Sequence, residues 1–475
     1  MGNSCKNSVL SGILVVLAAL FSAGCTMPVY FGRCQVAADL EGRMGYLLGP
    51  EKPACNALIP EIVCCEDGLS EDEAAILGLW NNPEYQELLA DLHITRADLI
   101  QAYQIANPDI STMFPVGVKQ WEVTLMVPLD VLVLRPHRVA AAQIESRRVA
   151  QRLVQDGLNV VRDVRCAYVD LVLARQRLEL AEKGLQLRGQ LARMAEARLQ
   201  AGAVAELDVS AMRLDAMFGE EEVMRTAREV DLAQERLRYL LGLESEDVMI
   251  EPTGLVEVPP LGDDVDVLVD KAVASRPDLR ALRLAFVAAC ERARLARFDY
   301  FNIWGALPDI NSKGKEGFEA GPGLRMTIPI FNQNQGAIAR AEAAVERLRR
   351  RYVKLRDSVT LEVRQAHTRL MQAQEGLSVW SEQVVPQANR AVDSARNALE
   401  EDSVSLLLVL ETTRQLFDAQ QRELQSAADV RRTVAELERS VGRRLLETFD
   451  ESMIYQTVEE IPLPEPGESV EEDAL

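Results

Sequence analysis

Aromatic residues make up only 5% of this 475-residue chain. That is too few for the deep cores of several conventional domains; Ala, Leu, Glu and Arg dominate instead, the composition of long helices and coiled coils. Histidine is nearly absent: His93, His137 and His367 stand alone, with no neighbouring His or Met cluster, so surface or packing roles are expected of them and a metal centre is not. There is no nucleophile paired with a base, no phosphate-cradling glycine loop and no dinucleotide fingerprint, and neither catalysis nor a cofactor is expected. An excess of basic charge is also missing. The formal net charge is -21, and every Arg-rich run is interleaved with Glu, which excludes the concentrated positive face that nucleic acid requires. Protein, membrane and small solutes remain as partners.

Residues 1–24 read as an export signal, with Lys6 in the basic region, an apolar run from Val9 to Phe21, and Ser22-Ala23-Gly24 before Cys25. The segment is too short and one-sided for a membrane span. Small residues directly before Cys25 resemble a bacterial lipobox, in which the thiol is acylated and becomes the mature N-terminus. Ser22 stands where Leu is usual, so cleavage without lipid is the alternative. Residues 25–69 lack helical period and carry Cys34, Cys55, Cys64 and Cys65; in an oxidising compartment these are expected to pair as one or two disulfides, and the absence of a CxxC pair and of a nearby His argues against the alternative, a zinc site. Cys166 and Cys290 lie in helical segments as small apolar groups.

The rest of the chain states one pattern twice. Pro83 returns as Pro277 after 194 residues, Pro128 as Pro329 after 201, Gly202 as Asp402 after 200 and Gly242 as Gly442 after 200. A constant offset kept through long helices marks a tandem duplication, here residues 70–250 and 251–450, followed by an acidic, aperiodic tail over 451–475. In each copy a short helix (from the capping box Ser70 to Glu73, or over Asp266 to Ser275) stops before a proline that opens the next, Pro83 to about Ala106 and Pro277 to about Tyr300. Alternation over Glu122 to Val127 and Leu324 to Ile328 predicts strands, with Ile110 to Val116 and Asn302 to Leu307 as partners. The hairpins turn through Gly117-Val118-Lys119 and through a polar loop from Pro308 to Pro322. Helices of ~60 residues, ~90 Å each, follow over Arg138 to Gln200 and Ala337 to Asn397. Leu178, Leu185, Ala192 and Leu199 recur every seven, as do Val345, Tyr352, Val359, Ala366 and Ala373. Pro386 is expected to kink the second. Return helices over Ala205 to Leu241 and Ser405 to Arg444 complete two antiparallel hairpins. Four strands cannot close a barrel, so strands in lipid imply several subunits.

These residues resemble the TolC-type outer membrane factor family. The carriers are Asn82-Pro83 and Arg276-Pro277-Asp278-Leu279, Val127-Pro128-Leu129 and Thr327-Ile328-Pro329-Ile330-Phe331, and Arg198-Leu199-Gln200-Ala201-Gly202 ahead of Leu207-Asp208-Val209. Phe331-Asn332-Gln333-Asn334-Gln335-Gly336 is most similar to the cation-efflux branch. The resemblance, covering about Ser70 to Arg444, implies a mainly α fold with a small β part. Tandem helical hairpins form a periplasmic α-barrel, and a homotrimer builds a twelve-stranded transmembrane β-barrel from four strands per protomer. It further implies a passive exit duct for a periplasmic adaptor and an inner-membrane pump of RND or ABC type, lipid-anchored in the outer membrane through Cys25. The chain departs from the family in its short first hairpin, in Asn302, and in Asp402 where Gly is usual.

By the same resemblance the adaptor docks at Arg198, Gly202, Ala203 and Val204 and at Asp402 and Ser403, and an acidic entrance gate involves Glu411 and Asp208. Gly202 is also required simply to reverse the chain, and a carboxylate on a coiled coil is ordinarily solvated surface; threefold symmetry would turn an inward Glu411 into a ring that selects cations. The alternative to a duct is a lipid-anchored, non-conducting coiled-coil spacer.

Overall fold

The computed structural model describes residues 31–51, 57–61, 63, 68–114, 122–128, 130–243, 250–254, 264–298, 305–312, 318–325, 330–401 and 403–445. Along these the chain forms α1 (Arg33–Met44), α2 (Glu71–Asn81), α3 (Pro83–Tyr103), β1 (Asp109–Met113), β2 (Glu122–Pro128), α4 (Asp130–Gln200) and α5 (Glu206–Leu241). The second half repeats the order as α6 (Val265–Ser275), α7 (Pro277–Phe298), β3 (Gly305–Ser312), β4 (Phe318–Arg325), α8 (Gln335–Ser378), a π-helical segment (Val379–Val384), α9 (Val385–Glu400) and α10 (Leu406–Val441). Cys25, Cys55, Cys64, Cys65, Gly117-Val118-Lys119, Asp402 and the acidic tail lie outside the described residues.

The duplication reaches single hydrogen bonds. Ser70 and Glu73 close a reciprocal capping box at α2, with Glu73 N–H donating to Ser70 Oγ (3.3 Å) and Ser70 N–H to the Glu73 carboxylate (2.8 Å). Before Pro83, the Asn82 amide donates to the Leu240 carbonyl (3.0 Å); before Pro277, Arg276 donates to the Ser440 carbonyl (3.2 Å), 200 residues on. Gly242, at φ 61°, ends α5 so close to α2 that a Cβ there would lie 2.2 Å from the Asn81 carbonyl oxygen.

α4 is a single helix of 71 residues, about 105 Å long at 1.5 Å per residue. It begins at Asp130 rather than Arg138 and carries Pro136 in its second turn, past the four donors a helix start leaves unpaired, so the helix gives up one i→i−4 hydrogen bond there. In the second repeat the ladder widens into the π-helical Val379–Val384 immediately before Pro386. Pro386 has no N–H and crowds the carbonyl four residues earlier, and one wide turn relieves both.

Buried apolar clusters hold the helices. Leu40, Tyr85, Leu153 and Leu158 pack α1, α3 and α4 together. Leu77, Tyr168 and Leu237 join α2, α4 and α5, and Leu268, Leu279, Val363 and Leu437 do the same for α6, α7, α8 and α10. α1 corrects the reading of residues 25–69 as aperiodic. Val36, Leu40 and Met44 form a stripe at helical spacing between Gly32 and Gly45, buried against its neighbours, too short to stand out beside Cys- and Gly-rich flanks. Cys34 lies on its exposed side.

The four strands form one antiparallel sheet in the order β1-β2-β3-β4. Here the second hairpin differs from expectation: the presumed loop from Pro308 to Pro322 is mostly paired strand, with Pro308 directly opposite Pro322. That position in an antiparallel ladder needs no N–H between the two. Pro308's missing donor is felt on its other side, where the β2–β3 register runs through Thr124↔Asp309 and resumes only at Val127↔Ala306. Asn302 and Met326 to Ile328 lie outside the described residues. Strand pairing uses backbone groups, so a Gly- and Pro-rich polar run can extend a ladder that side-chain alternation fails to announce.

Candidate functional site at the hairpin tips

The turn after α4 is a left-handed helix terminus. Gly202 sits at φ 74°, its N–H donates to Leu199 O (2.8 Å), and Ala203 N–H reaches back to Arg198 O (2.8 Å). Gly202 and Ala203 are exposed, and a Cβ on Gly202 would meet nothing within 4 Å. In the second turn Ser403 N–H and Oγ both donate to Ala398 O (2.9 Å each), so the hydroxyl reinforces a reversal that Gly supplies in the first copy.

The two turns lie side by side. Leu191, Ala195, Val209 and Met212 of the first hairpin share a buried cluster with Leu399, Leu406, Val409 and Leu410 of the second, and the repeat mates Val204 and Val404 close it. Arg198 donates across the gap to Leu399 O (3.3 Å). Of the residues the sequence nominates at the tip, Gly202, Ala203 and Ser403 are presented outward, while Val204 is half-buried and Arg198 is engaged in joining the turns.

Asp208 accepts from the Ala205 N–H (3.3 Å), helping to start α5. Glu411 is exposed on α10 and accepts from Gln415 (3.1 Å). Of the two nominated gate carboxylates, one thus serves as a helix cap and the other lies on an exposed helix face. Asp418, exposed seven residues beyond Glu411 on the same face, extends the acidic stripe; its spacing was the available signal.

Sequence reasoning missed a buried link just above the tips. Asp215 on α5, 3% exposed, is bound by Arg414 of α10 (2.5 Å) and faces Arg188 of α4 (3.5 Å), tying the two hairpins together by charge. Arg188 also reaches Glu222 (3.2 Å). No signal in the sequence separates this Asp from the solvated acids around it.

Higher up, a groove of about 440 Å³ between α4, α8 and α10 is lined by Arg162, Cys166, Arg369 and Glu436. Burial pushes the Cys166 thiol up to about 11, so no thiolate nucleophile is available there at neutral pH. Among the described residues no group of His, Cys, Asp and Glu is placed to hold a metal ion, and no helix is long and apolar enough to cross a membrane.

The profile of outer membrane efflux proteins matches residues 87–243 and 268–443, one helical hairpin in each segment. The chain belongs to the outer membrane efflux protein family. The cobalt-zinc-cadmium resistance protein CzcC of Cupriavidus metallidurans is 23% identical over 387 residues, 79% of this chain and 90% of that protein. The outer-membrane channel OprN superposes with a TM-score of 0.67 at 18% identity, covering 84% of this chain and 100% of that one. The CmeC outer membrane channel of Campylobacter jejuni gives 0.68 at 12% identity, covering 86% and 96%. This efflux protein therefore shares the tandem-hairpin fold of those channels. It is an outer membrane efflux channel and not an enzyme.

Proposed function

We propose that this efflux protein is the passive exit duct of a tripartite system: a homotrimer whose twelve strands close one barrel and whose hairpins form the tunnel beneath it. The observation that carries the reading is a four-stranded sheet whose two outer strands are unpaired among the described residues, continuous with helices about 100 Å long. Open edges in hydrocarbon leave backbone groups unsatisfied at several kcal/mol each, so only closure with further copies makes the sheet a span. A helix that long has no role inside a compact domain but reaches well into the periplasm.

In this reading Cys25 carries the lipid anchor. Arg198, Gly202, Ala203, Val204, Asp402 and Ser403 meet a periplasmic adaptor that links the duct to an inner-membrane pump of RND or ABC type. Glu411, with Asp208 behind it, lines the entrance. The similarity to a cobalt-zinc-cadmium resistance protein makes metal cations the leading cargo class. Purified protein in a planar bilayer is the test: a duct gives discrete conductance steps, whereas a coiled-coil spacer gives none.

A further inference from the structure

Buried polar groups around the end of α10 are left without hydrogen-bond partners among the described residues. α1 lies alongside α4 and runs the same way: Ser146 Oγ donates to the Phe31 carbonyl (3.4 Å), Gln151 Nε2 to the Asp39 carboxylate (2.9 Å), and Gly157 lies against Leu40. From α1, Arg43 reaches the end of α10. Its Nε donates to Asp39 (2.8 Å) and its Nη1 to the Gly442 carbonyl (3.2 Å), while the Arg43 carbonyl accepts from the Arg444 N–H (3.0 Å). Arg43 is 1% exposed, and its Nη2 is buried with no partner among the described residues. Gln155 lies four residues beyond Gln151 on the same face of α4, level with Arg43. It is 7% exposed, neither its amide oxygen nor its amide nitrogen is bonded among the described residues, and the same holds for Gln151 Oε1.

Folded proteins seldom leave such groups unsatisfied, because burial removes their water and offers nothing in exchange. The chemistry of this set narrows what fills it. Arg43 Nη2 and the Gln155 amide nitrogen are donors and the first is charged, so an anionic acceptor suits them; Asp39 is already engaged by Arg43 Nε and Gln151. The two Gln oxygens need donors. A free anion meets only the first requirement, whereas a stretch of peptide with an acidic side chain meets both, its carboxylate taking the donors and its own N–H groups serving the oxygens. Such a stretch starts here. The described chain stops at Leu445, three residues past Gly442, and residues 446–475 hold ten Asp and Glu and no Lys, Arg or His. Glu447 is the first of the ten, within about 7 Å of backbone from Leu445.

We infer that these groups form a carboxylate-binding site for the chain's own tail: Glu447 accepts from Arg43 Nη2 and the Gln155 amide, and the backbone beside it donates to the oxygens of Gln151 and Gln155. The site fastens the segment leaving repeat 2 to α1, with α4 as the common support, and it does not depend on a conducting pore.

Amide hydrogen exchange of α1, followed by mass spectrometry on the purified full-length protein, tests the site. Glu447→Ala should speed exchange of the Arg33–Met44 amides at least about tenfold, the effect of losing one hydrogen bond to a charged group. A chain ending after Asp450 keeps Glu447 and drops eight of the ten acids; its α1 should exchange like that of the native chain. Gln155→Leu replaces the unbonded amide with an apolar group of similar size, and in that background Glu447→Ala should have a smaller effect than it has alone, since groups in contact are not additive. Unchanged exchange in Glu447→Ala would mean that water or nothing fills the site, and would overturn the inference. Faster exchange in the shortened chain alone would hand the site to a later acid and overturn the choice of Glu447. Effects of Gln155→Leu and Glu447→Ala that simply multiply would place Glu447 elsewhere and overturn it as well.

Discussion

At the first turn Gly202 holds a backbone conformation that costs an L-residue roughly 1–2 kcal/mol, yet a side chain placed there meets open space. Conformation and docking therefore separate experimentally. Gly202→Ala and Gly202→Arg share the backbone cost and differ in bulk and charge. We expect both to keep the trimer by native mass spectrometry, with Gly202→Arg abolishing adaptor capture and export while Gly202→Ala retains most of each; loss of both functions in the Ala variant would make Gly202 a helix terminus alone. Glu411 invites a second comparison. Three carboxylates around one opening concentrate cations, while charges farther off are screened over about 8 Å at physiological salt. Glu411→Ala should lower cation selectivity, read as the reversal potential across a KCl gradient, and leave thermal stability unchanged because Glu411 is exposed and accepts from Gln415, a neighbour on its own helix. An unchanged reversal potential moves the collar to Asp418 or Asp208. Gly202 was legible in the sequence because a turn between long helices demands it. Asp215 was not, since nothing local distinguishes a carboxylate that another repeat's arginine buries.

Helices, prolines and the pairing of the first hairpin were readable locally; the extent of the second hairpin was not. The caps at Ser70 and Asn82 and the glycines at the ends of α5 and α10 are local chemistry. The Pro308–Pro322 match depends on two strands finding each other, and the π turn before Pro386 on how a long helix absorbs one missing donor. Packing between elements also sets the acid response. Burial alone would raise the pKa of Glu436 on α10, but hydrogen bonds from Arg439 and from Arg162 of α4 outweigh it and hold the carboxyl below its ordinary value. Asp72 on α2 behaves alike: burial is offset by Tyr46 and by Arg444, and its pKa falls. A carboxyl depressed in the folded state stabilises fully above its unfolded pKa and loses that contribution as pH falls through the folded value. Asp156, raised by burial and by Glu84 and Asp91 against the pull of Arg152, works in the opposite sense and softens the slope. The melting temperature should thus hold steady from neutral pH to about pH 4 and drop below it. Glu436→Gln should lower the plateau and flatten the drop; an acid limb as steep as that of the native chain would show that Glu436 is not one of the groups responsible.

Duplication alone would give a molecule of two loosely joined halves, and buried charge joins them alongside the apolar clusters they share. Arg165 of α4 lies between Glu71 of α2 (2.6 Å) and Glu438 of α10, and Arg431 of α10 binds Glu71 (2.6 Å). All four side chains are at most 8% exposed. No internal comparison reveals this cluster, because the repeat mates of Arg431 and Glu438 are Asp231 and Arg238, of opposite charge, on a helix that faces outward within the chain. Carboxylates and guanidinium groups in long helices read as solvated faces until the second repeat covers them. Desolvation makes such a cluster costly to assemble and more costly to break: removing one partner of a buried pair typically destabilises by about 3–5 kcal/mol, whereas replacing both with apolar groups of similar size is near neutral. Glu438→Ala, which leaves the buried Arg165 and Arg431 to share Glu71 and takes an acceptor from the Leu445 N–H, should lower the melting temperature sharply. Arg165→Met with Glu438→Leu should recover much of the loss, since Glu71 and Arg431 keep each other. If the double variant melts no higher than the single one, the cluster does more than neutralise its own charges, and its hydrogen bonds fix how one repeat sits on the other. If Glu438→Ala melts like the native chain, water reaches Arg165 and the halves are held by the apolar clusters alone.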